Sequence, residues 1–485
     1  MSDAGSDRAQ VLVVGAGPAG LVAGITLADH GVSVLVVEKR SEISTLSRAL
    51  VISTRSMEIL RSWGLEGEVR AGAADVEPCG WVTRTLASGE GVQIPLGYPT
   101  AAEATKVSPS RPAWAPQDHL EPALLSRLRS LPGAEIRFGS ELVTVEQREG
   151  GVCAHLHERA SGRIHDVDAQ FVIGADGAHS TVRTQLGIRM EGPDALAEFH
   201  SVQFSARLAR LVGDRRYGLN VITHPDAAGV LAPRGPNDRW SYAREWRPGQ
   251  PRLVDCPTEQ LAALIATAVG TPDLQLRIER VSAFSFAAQI ADRYRDQRIF
   301  VVGDAAHRMT PRGGTGMNTA IHDAYDLGWK LAWVLRGWAK PGLLASYEAE
   351  RRPVGLHNVL RSGDPDGARR QADDALPWDL NGRLPHHWVP RGSETISTLD
   401  LLGNGLTLLV GPAEPRWPEA GASLNTRAPL STHAVDERTA HSVGIQPGGA
   451  VLLRPDGQAL VHWPALTTPL HRGSLPGDLC KRAVT

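Results

Sequence analysis

The feature that most constrains this chain is Gly15-Ala16-Gly17-Pro18-Ala19-Gly20, set between an apolar run and a run of small residues. Residues 10–14 are apolar and β-branched and predict a buried strand, and residues 19–30 predict a helix. Gly15 permits the tight turn, Gly17 lets backbone approach a pyrophosphate, and Gly20 lets helix and strand pack closely. The helix N-terminus offers free N–H groups to the anion. A second strand, residues 32–37, leads to Glu38, 18 residues after Gly20. A carboxylate there accepts from ribose hydroxyls and repels a 2′-phosphate, which predicts an unphosphorylated adenosine dinucleotide, FAD or NAD. A packed turn in a glycine-rich chain is the alternative, but it does not account for strand, helix and acid together.

Two further glycine motifs follow in order. Residues 171–173 form a strand signal ending at Gly174-Ala175-Asp176-Gly177, with Ser180, Val182 and Arg183 beyond. Such a turn brings a carboxylate and bare backbone to a ligand, although an ordinary strand-to-loop turn carries the same signature. Residues 298–302 repeat the pattern and end at Gly303-Asp304-Ala305-Ala306-His307. Asp304 is placed to hold a hydroxylated linker. The run Pro311-Arg312-Gly313-Gly314-Thr315-Gly316-Met317-Asn318 opens a helix whose amides favour negative charge on a ring carbonyl, as a reduced flavin requires. Three such motifs in one order point to one long cofactor across one domain, and the later two favour a flavin. His307 reads as a helix-start residue near the cofactor, with proton transfer as its alternative role.

These segments, with the Arg48-Ala49 loop, the helix DAYDLGWKLAWVL and YEAERRP, resemble the flavoprotein aromatic hydroxylases from about residue 11 to 353. That family of single-component FAD-dependent monooxygenases includes para-hydroxybenzoate hydroxylase and phenol hydroxylase, and the chain is most similar to its aromatic polyketide branch. The resemblance implies an α/β fold: a glutathione-reductase-type, Rossmann-like FAD-binding domain, an inserted antiparallel β-sheet substrate domain and a C-terminal thioredoxin-like domain. It implies bound FAD, NADPH or NADH as a transient co-substrate, and O2. One oxygen atom would be inserted into a polycyclic, polyketide-type aromatic through a flavin-4a-hydroperoxide. A Baeyer–Villiger or antibiotic-inactivating monooxygenase on the same fold is the alternative, and a catalytically silent flavin-binding partner protein is a more distant one.

By position, the resemblance assigns cofactor contacts to Gly15, Gly17, Pro18, Ala19 and Gly20, and to Glu38 and Lys39 at the adenosine. Arg48 and Gln117 would touch the pyrophosphate and ribityl region, Asp176 would serve both FAD and NADPH, and Asp304 would bind the ribityl chain. Pro311, Gly314, Gly316, Met317 and Asn318 would line the isoalloxazine, with Pro311, Arg312 and Gly314 at the site of chemistry. Asp326 stands where the family most often has Asn, which puts a hydrogen bond from that side chain in doubt. The base that activates a phenol is not identified; Tyr217, Arg234, Tyr242 and Arg312 are candidates.

The expected FAD-binding domain comprises 1–75, 109–187 and 298–365, and the substrate domain 76–108 and 188–297. In the latter, Trp240, Tyr242, Arg244 and Trp246 share one strand face and Ser241, Ala243 and Glu245 the other. Tyr217, Trp240 and Tyr242 either face a planar substrate or fill the sheet's core. In the helix over residues 321–338, Trp329, Trp333 and Trp338 read as packing residues. Residues 366–394 read as a linker with an irregular approach to a third domain over 395–485, which has a hairpin around Pro455-Asp456-Gly457 and no C-x-x-C.

Composition narrows partners. The chain of 485 residues is 42% hydrophobic and 21% charged with a net charge of -2, so no basic excess suits a nucleic acid. Its four scattered cysteines form no C-x-x-C pair and no metal-ligand spacing appears, arguing against zinc, dithiol chemistry and a disulfide framework and fitting a reducing compartment. Residues 11–28 are apolar but broken by glycines and preceded by Asp3 and Asp7, unlike a signal peptide, and nothing else approaches a ~20-residue membrane span. A cytoplasmic monomer or homodimer acting on a small aromatic molecule is expected.

Overall fold

The computed structural model describes residues 7–466 apart from Ser47 and Asn425. At its centre the strand Asp7–Val14 lies between Val34–Glu38 and Ile164–Gly174, with Ala134–Phe138 and Ile299–Val301 outside them, all parallel. Every residue of Val34–Glu38 is buried, as expected of a parallel strand covered on both faces. The helix Pro18–Asp29 is buried continuously from Ala19 to Ala28, because the helices Gln117–Ser130 and Gly316–Leu335 pack on it. An amphipathic stripe would be wrong for that position, and the run of Ala, Gly, Val and Leu has none.

A seven-stranded sheet forms a second layer, a roof over the first. Its order is Arg277–Phe286, Ala197–Ser205, Arg239–Trp246, Gly229–Pro233, Tyr217–Ile222, Glu77–Thr83 and Gly91–Pro95. Neighbours are antiparallel except Tyr217–Ile222 against Glu77–Thr83. The helix Thr258–Val269 covers one face. Trp240 and Tyr242 are buried on that helix-covered side with Val202, Phe204, Leu261 and Ile265. This corrects the expectation that they meet substrate: they fill the sheet's core, and the opposite face, with Ser241 and Ala243, is the one turned to the cofactor layer.

The third unit is a four-stranded sheet in the order Leu430–Ala434, Leu406–Val410, Ala450–Leu453, Ala459–Trp463. The first pair is parallel and the others antiparallel, joined through helices Trp417–Ser423 and Glu437–Ser442, which is the thioredoxin-like arrangement. Cys480 and the rest of 467–485 lie outside the described residues. Trp329 and Trp333, from the long helix Gly316–Leu335, are buried in this unit's core beside Trp417. Their aromatic surface docks the third domain on the first.

The stretch 366–394 is not an irregular linker. It holds the helix Ala372–Leu380, packed on Thr54–Ser62, and the strand Trp388–Arg391. Arg383 between them donates to both oxygens of buried Glu58, at 3.1 and 2.6 Å, so the segment is strapped to the first domain.

Candidate cofactor and active site

The three glycine motifs meet. Gly15 has φ +106°, and a Cβ built there falls 2.3 Å from the Ala175 carbonyl oxygen of the second motif. Gly303 of the third motif lies against the first, its built Cβ 3.1 Å from the Ala19 and Ala320 Cβ atoms. Gly17, by contrast, faces open space, with nothing within 4 Å of a built Cβ. It is also the N-cap of Pro18–Asp29, with no side-chain cap and no acid in the first turn. Unsatisfied helix amides over an open gap form an anion site, and a pyrophosphate is the anion that the flanking elements fit.

Glu38 sits at the end of its strand with one carboxylate oxygen accepting from the Ala16 N–H at 2.9 Å and the other from the Arg40 N–H at 3.1 Å. The first motif thus orients the acid, which retains further lone pairs for a ribose. Lys39 and Arg48 are exposed beside it. Gln117 begins its helix with its N–H on the Ala49 carbonyl and its amide on Glu121 Oε1, both bonds fixing it opposite the Arg48 loop. Sequence reasoning missed Glu121. Burial pushes its carboxyl up to about 7, against the Gln117 hydrogen bond and the Arg48 and Arg40 charges.

Asp176 also carries bonds within its own turn. Its carboxylate accepts from the Ser180 hydroxyl and the Val182 N–H, capping the helix Thr181–Gln185. Burial raises its pKa, and these bonds oppose the rise. The side chain therefore shapes the turn and retains further lone pairs, while the backbone at Ala175 lies against Gly15 of the first motif. Arg183, named with the second motif but given no role there, bonds the Ala305 and Ala178 carbonyls at 3.2 and 2.9 Å and ties second motif to third. Asp304 is the exposed residue in an otherwise buried 3-10 turn, Gly303–Ala305. Among the described residues no protein group bonds its carboxylate, which suits an acceptor for a polyhydroxyl chain.

His307 stands in a two-residue strand, His307–Arg308, rather than at a helix start. It is fully buried, its Nε2 lying 2.7 Å from Asp323 Oδ2, while Arg351 Nε donates to Asp323 Oδ1 at 2.7 Å. Burial works to raise the Asp323 carboxyl, but Arg351 and His307 outweigh it and hold it below its usual range. The trio braces the turn from beneath.

The loop 311–315 is shaped by positive φ at Gly313 and Gly314, +77° and +62°. Tyr98, from the roof domain, donates its hydroxyl to the Gly313 and Gly314 carbonyls at 2.9 and 3.1 Å. Asn318 donates to the Gly314 and Val51 carbonyls and accepts from the Ser53 N–H at 2.8 Å. Its side chain is thus a staple between two loops, and Met317 packs on the main core; their contribution to the cleft is the backbone at the uncapped start of Gly316–Leu335. Pro311 opens this loop and Gly316 follows it as the first residue of the long helix. Arg312 places its guanidinium 5.5 Å from the Phe286 ring of the roof. On the other flank Val51, Leu96, Tyr98, Trp114 and Leu219 form an apolar wall.

Among the other candidates, Tyr242 donates to the Ala228 carbonyl and burial pushes its phenol up to about 12, so it is no base near neutrality. Arg234 is buried against Asp118 at 3.3 Å. Tyr217 stacks on Trp81 of the neighbouring strand, centroids 5.1 Å apart.

Fold and cradle together define an FAD-binding protein with a roofed active-site cleft. The model of an FAD binding domain matches residues 8–362, and that of an aromatic-ring hydroxylase C-terminal domain matches 380–476. A putative polyketide hydroxylase of Streptomyces halstedii is 36% identical over 93% of this chain and 92% of its own length. The flavin-dependent monooxygenase PieE, solved with FAD and substrate, superposes with TM-score 0.87 at 27% identity, covering 99% of each chain. Aklavinone-11 hydroxylase, solved with FAD and aklavinone, superposes with TM-score 0.83 at 30% identity over 99% of this chain and 98% of that one. The chain belongs to the FAD-dependent aromatic-ring hydroxylases and is a flavoprotein monooxygenase.

Proposed function

We propose that this enzyme uses NAD(P)H and O2 to hydroxylate a fused polycyclic phenol or quinone of the polyketide type. The observation that carries the reading is the roof face above loop 311–315. Across its central strands the side chains turned to the cofactor layer include a patch of small or slender ones, Ser201, Ser241, Ala243, Ala232 and Val230, bordered by Gln203 and Arg280. A broad flat patch of that kind accepts a broad flat ligand, and a relative that spans most of this chain is a putative polyketide hydroxylase.

Bound FAD would supply the redox chemistry, accepting hydride equivalents from the nicotinamide and passing them to dioxygen. The protein's part is orientation, electrostatics and exclusion of water. The Gly17 cradle and Glu38 hold the adenosine half, Asp304 accepts from the linker, and the amides at the start of Gly316–Leu335 stabilise negative charge on the ring. Tyr98 and Asn318 keep the Gly313 and Gly314 carbonyls occupied, and the Arg312 and Gly314 N–H groups are held by Thr310 Oγ1 and the Pro311 carbonyl, which fixes the loop. Arg312, within that loop, reaches out to the Phe286 ring of the roof. A single dinucleotide motif in the sequence fits a nicotinamide that visits rather than resides.

The test is to purify the protein, record its visible spectrum and follow NADPH oxidation with a panel of polycyclic phenols and quinones. A bound flavin, oxidation stimulated by a polycyclic phenol and a product heavier by one oxygen atom are expected. A protein that takes up no FAD overturns the reading, and oxygen insertion into a ketone ring replaces hydroxylation with Baeyer–Villiger chemistry.

A further inference from the structure

Three phenylalanines stand together on the cofactor side of the roof and belong to none of the hydrophobic cores among the described residues. Phe199 and Phe286 stack face to face, with centroids 4.1 Å apart and planes 3° from parallel. Phe284 leans on both, at 6.1 and 5.9 Å, and is 37% exposed. Pairing of Phe199 with Phe284, and of Ala197 with Phe286, places all three on one face of the strands Ala197–Ser205 and Arg277–Phe286. Phe199 also lies opposite Glu245, so this is the Ser241 and Ala243 face rather than the Trp240 and Tyr242 face.

That face runs from the wall beside Gly314 to the tip of the Arg312 side chain. Phe286 lies under the Arg312 guanidinium, and Leu219, on the strand Tyr217–Ile222, joins the wall of Val51 and Tyr98 that flanks Gly314. From the phenylalanine pair of strands to the Leu219 strand there are five neighbouring strands, about 19 Å at ~4.8 Å per step. A single phenol bound at loop 311–315 leaves most of this floor bare. Phe286 is buried, but Phe284 and Phe199 are left partly in water, and such rings bind another ring by offset stacking.

We propose that Phe199, Phe284 and Phe286 form a shelf that binds the rings of the substrate furthest from the reacting carbon and so selects substrates by ring count. The proposal rests on the polycyclic reading above. Rings slide along the small-residue floor until the distal one stacks on Phe284, and this fixes which carbon stands over the loop. The shelf residues are specificity determinants and touch no reacting atom.

The experiment titrates oxidised FAD-loaded enzyme with a one-ring phenol, a two-ring hydroxynaphthoquinone and a four-ring hydroxyquinone, reading dissociation constants from flavin absorbance changes. Wild type should bind more tightly as rings are added. Phe199→Ala with Phe284→Ala should weaken the four-ring ligand about tenfold, a stacking loss of about 1.4 kcal/mol, and leave the one-ring constant and flavin content unchanged. Phe284→Tyr, which keeps the ring, should restore most of the four-ring affinity. Equal binding of the four-ring ligand by wild type and double variant, or equal weakening of all three ligands, overturns the shelf alone. Failure of every polycyclic ligand to perturb the wild-type flavin overturns the polycyclic reading, and the shelf with it.

Discussion

Single residues decide whether the cradle exists. Gly15 combines a left-handed backbone with a carbonyl 2.3 Å from where a Cβ would stand, so Gly15→Ala cannot be absorbed by a side-chain shift. Strain on the order of 3 kcal/mol is expected to weaken FAD binding about a hundredfold, read as lost 450 nm absorbance in the purified protein. Glu121 gives a pH signature. Burial raises its carboxyl to about 7 in the fold, against about 4.3 in an unfolded chain. The folded state therefore holds a proton that the unfolded state has released between those values, and this stabilisation, complete below about 4.3, is lost as pH rises through 7. Glu121→Gln cannot titrate, so its melting temperature should gain on wild type between pH 5 and pH 8. A constant difference across that range would show that Glu121 does not titrate there.

At the scale of elements, the long helix Gly316–Leu335 does two jobs, its start serving the cofactor and its end serving the third domain. Near the latter, Lys330 is fully buried between Asp326 at 2.7 Å and Glu350 at 2.8 Å, and Arg454 of the third domain bonds Glu350 and Asp456. Asp326, where the family most often has Asn, is thus explained as the i,i+4 partner of Lys330. Burial pushes the Asp326 carboxyl upward and Lys330 restrains it. Lys330→Met leaves buried carboxylates short of a counter-charge and should cost about 3–5 kcal/mol in denaturant unfolding. Asp326→Asn should cost much less. How legible elements were depended on where their constraints lie. The cradle was legible because a turn that admits pyrophosphate needs Gly15, Gly17 and Gly20 within six residues. Alternation in Arg239–Trp246 was legible too, but not which face meets the cofactor. That is settled by the helix Thr258–Val269, which claims the aromatic face for its own core. The helix Ala372–Leu380 was hidden because nine residues containing Pro377 carry little helical signal and fold by packing on Thr54–Ser62.

At the scale of the molecule, the third domain is not an appendage. Trp329 and Trp333 are buried in its core, and the Trp333 indole donates to the Asn404 carbonyl at 2.9 Å. A chain ending at residue 379 would expose both tryptophans with Leu343 as one apolar patch, and should be recovered aggregated or binding a hydrophobic dye. A monodisperse, FAD-loaded fragment would show instead that the docking is dispensable. The packing of Gly303 on Ala19 and Ala320 has a consequence for synthesis. The ribosome completes the first strand and helix early, yet the cavity they help to form has no third wall until residue 320 has emerged. Flavin capture is therefore a late event in the life of the nascent chain, and its first 300 residues must persist without the ligand that later holds them together.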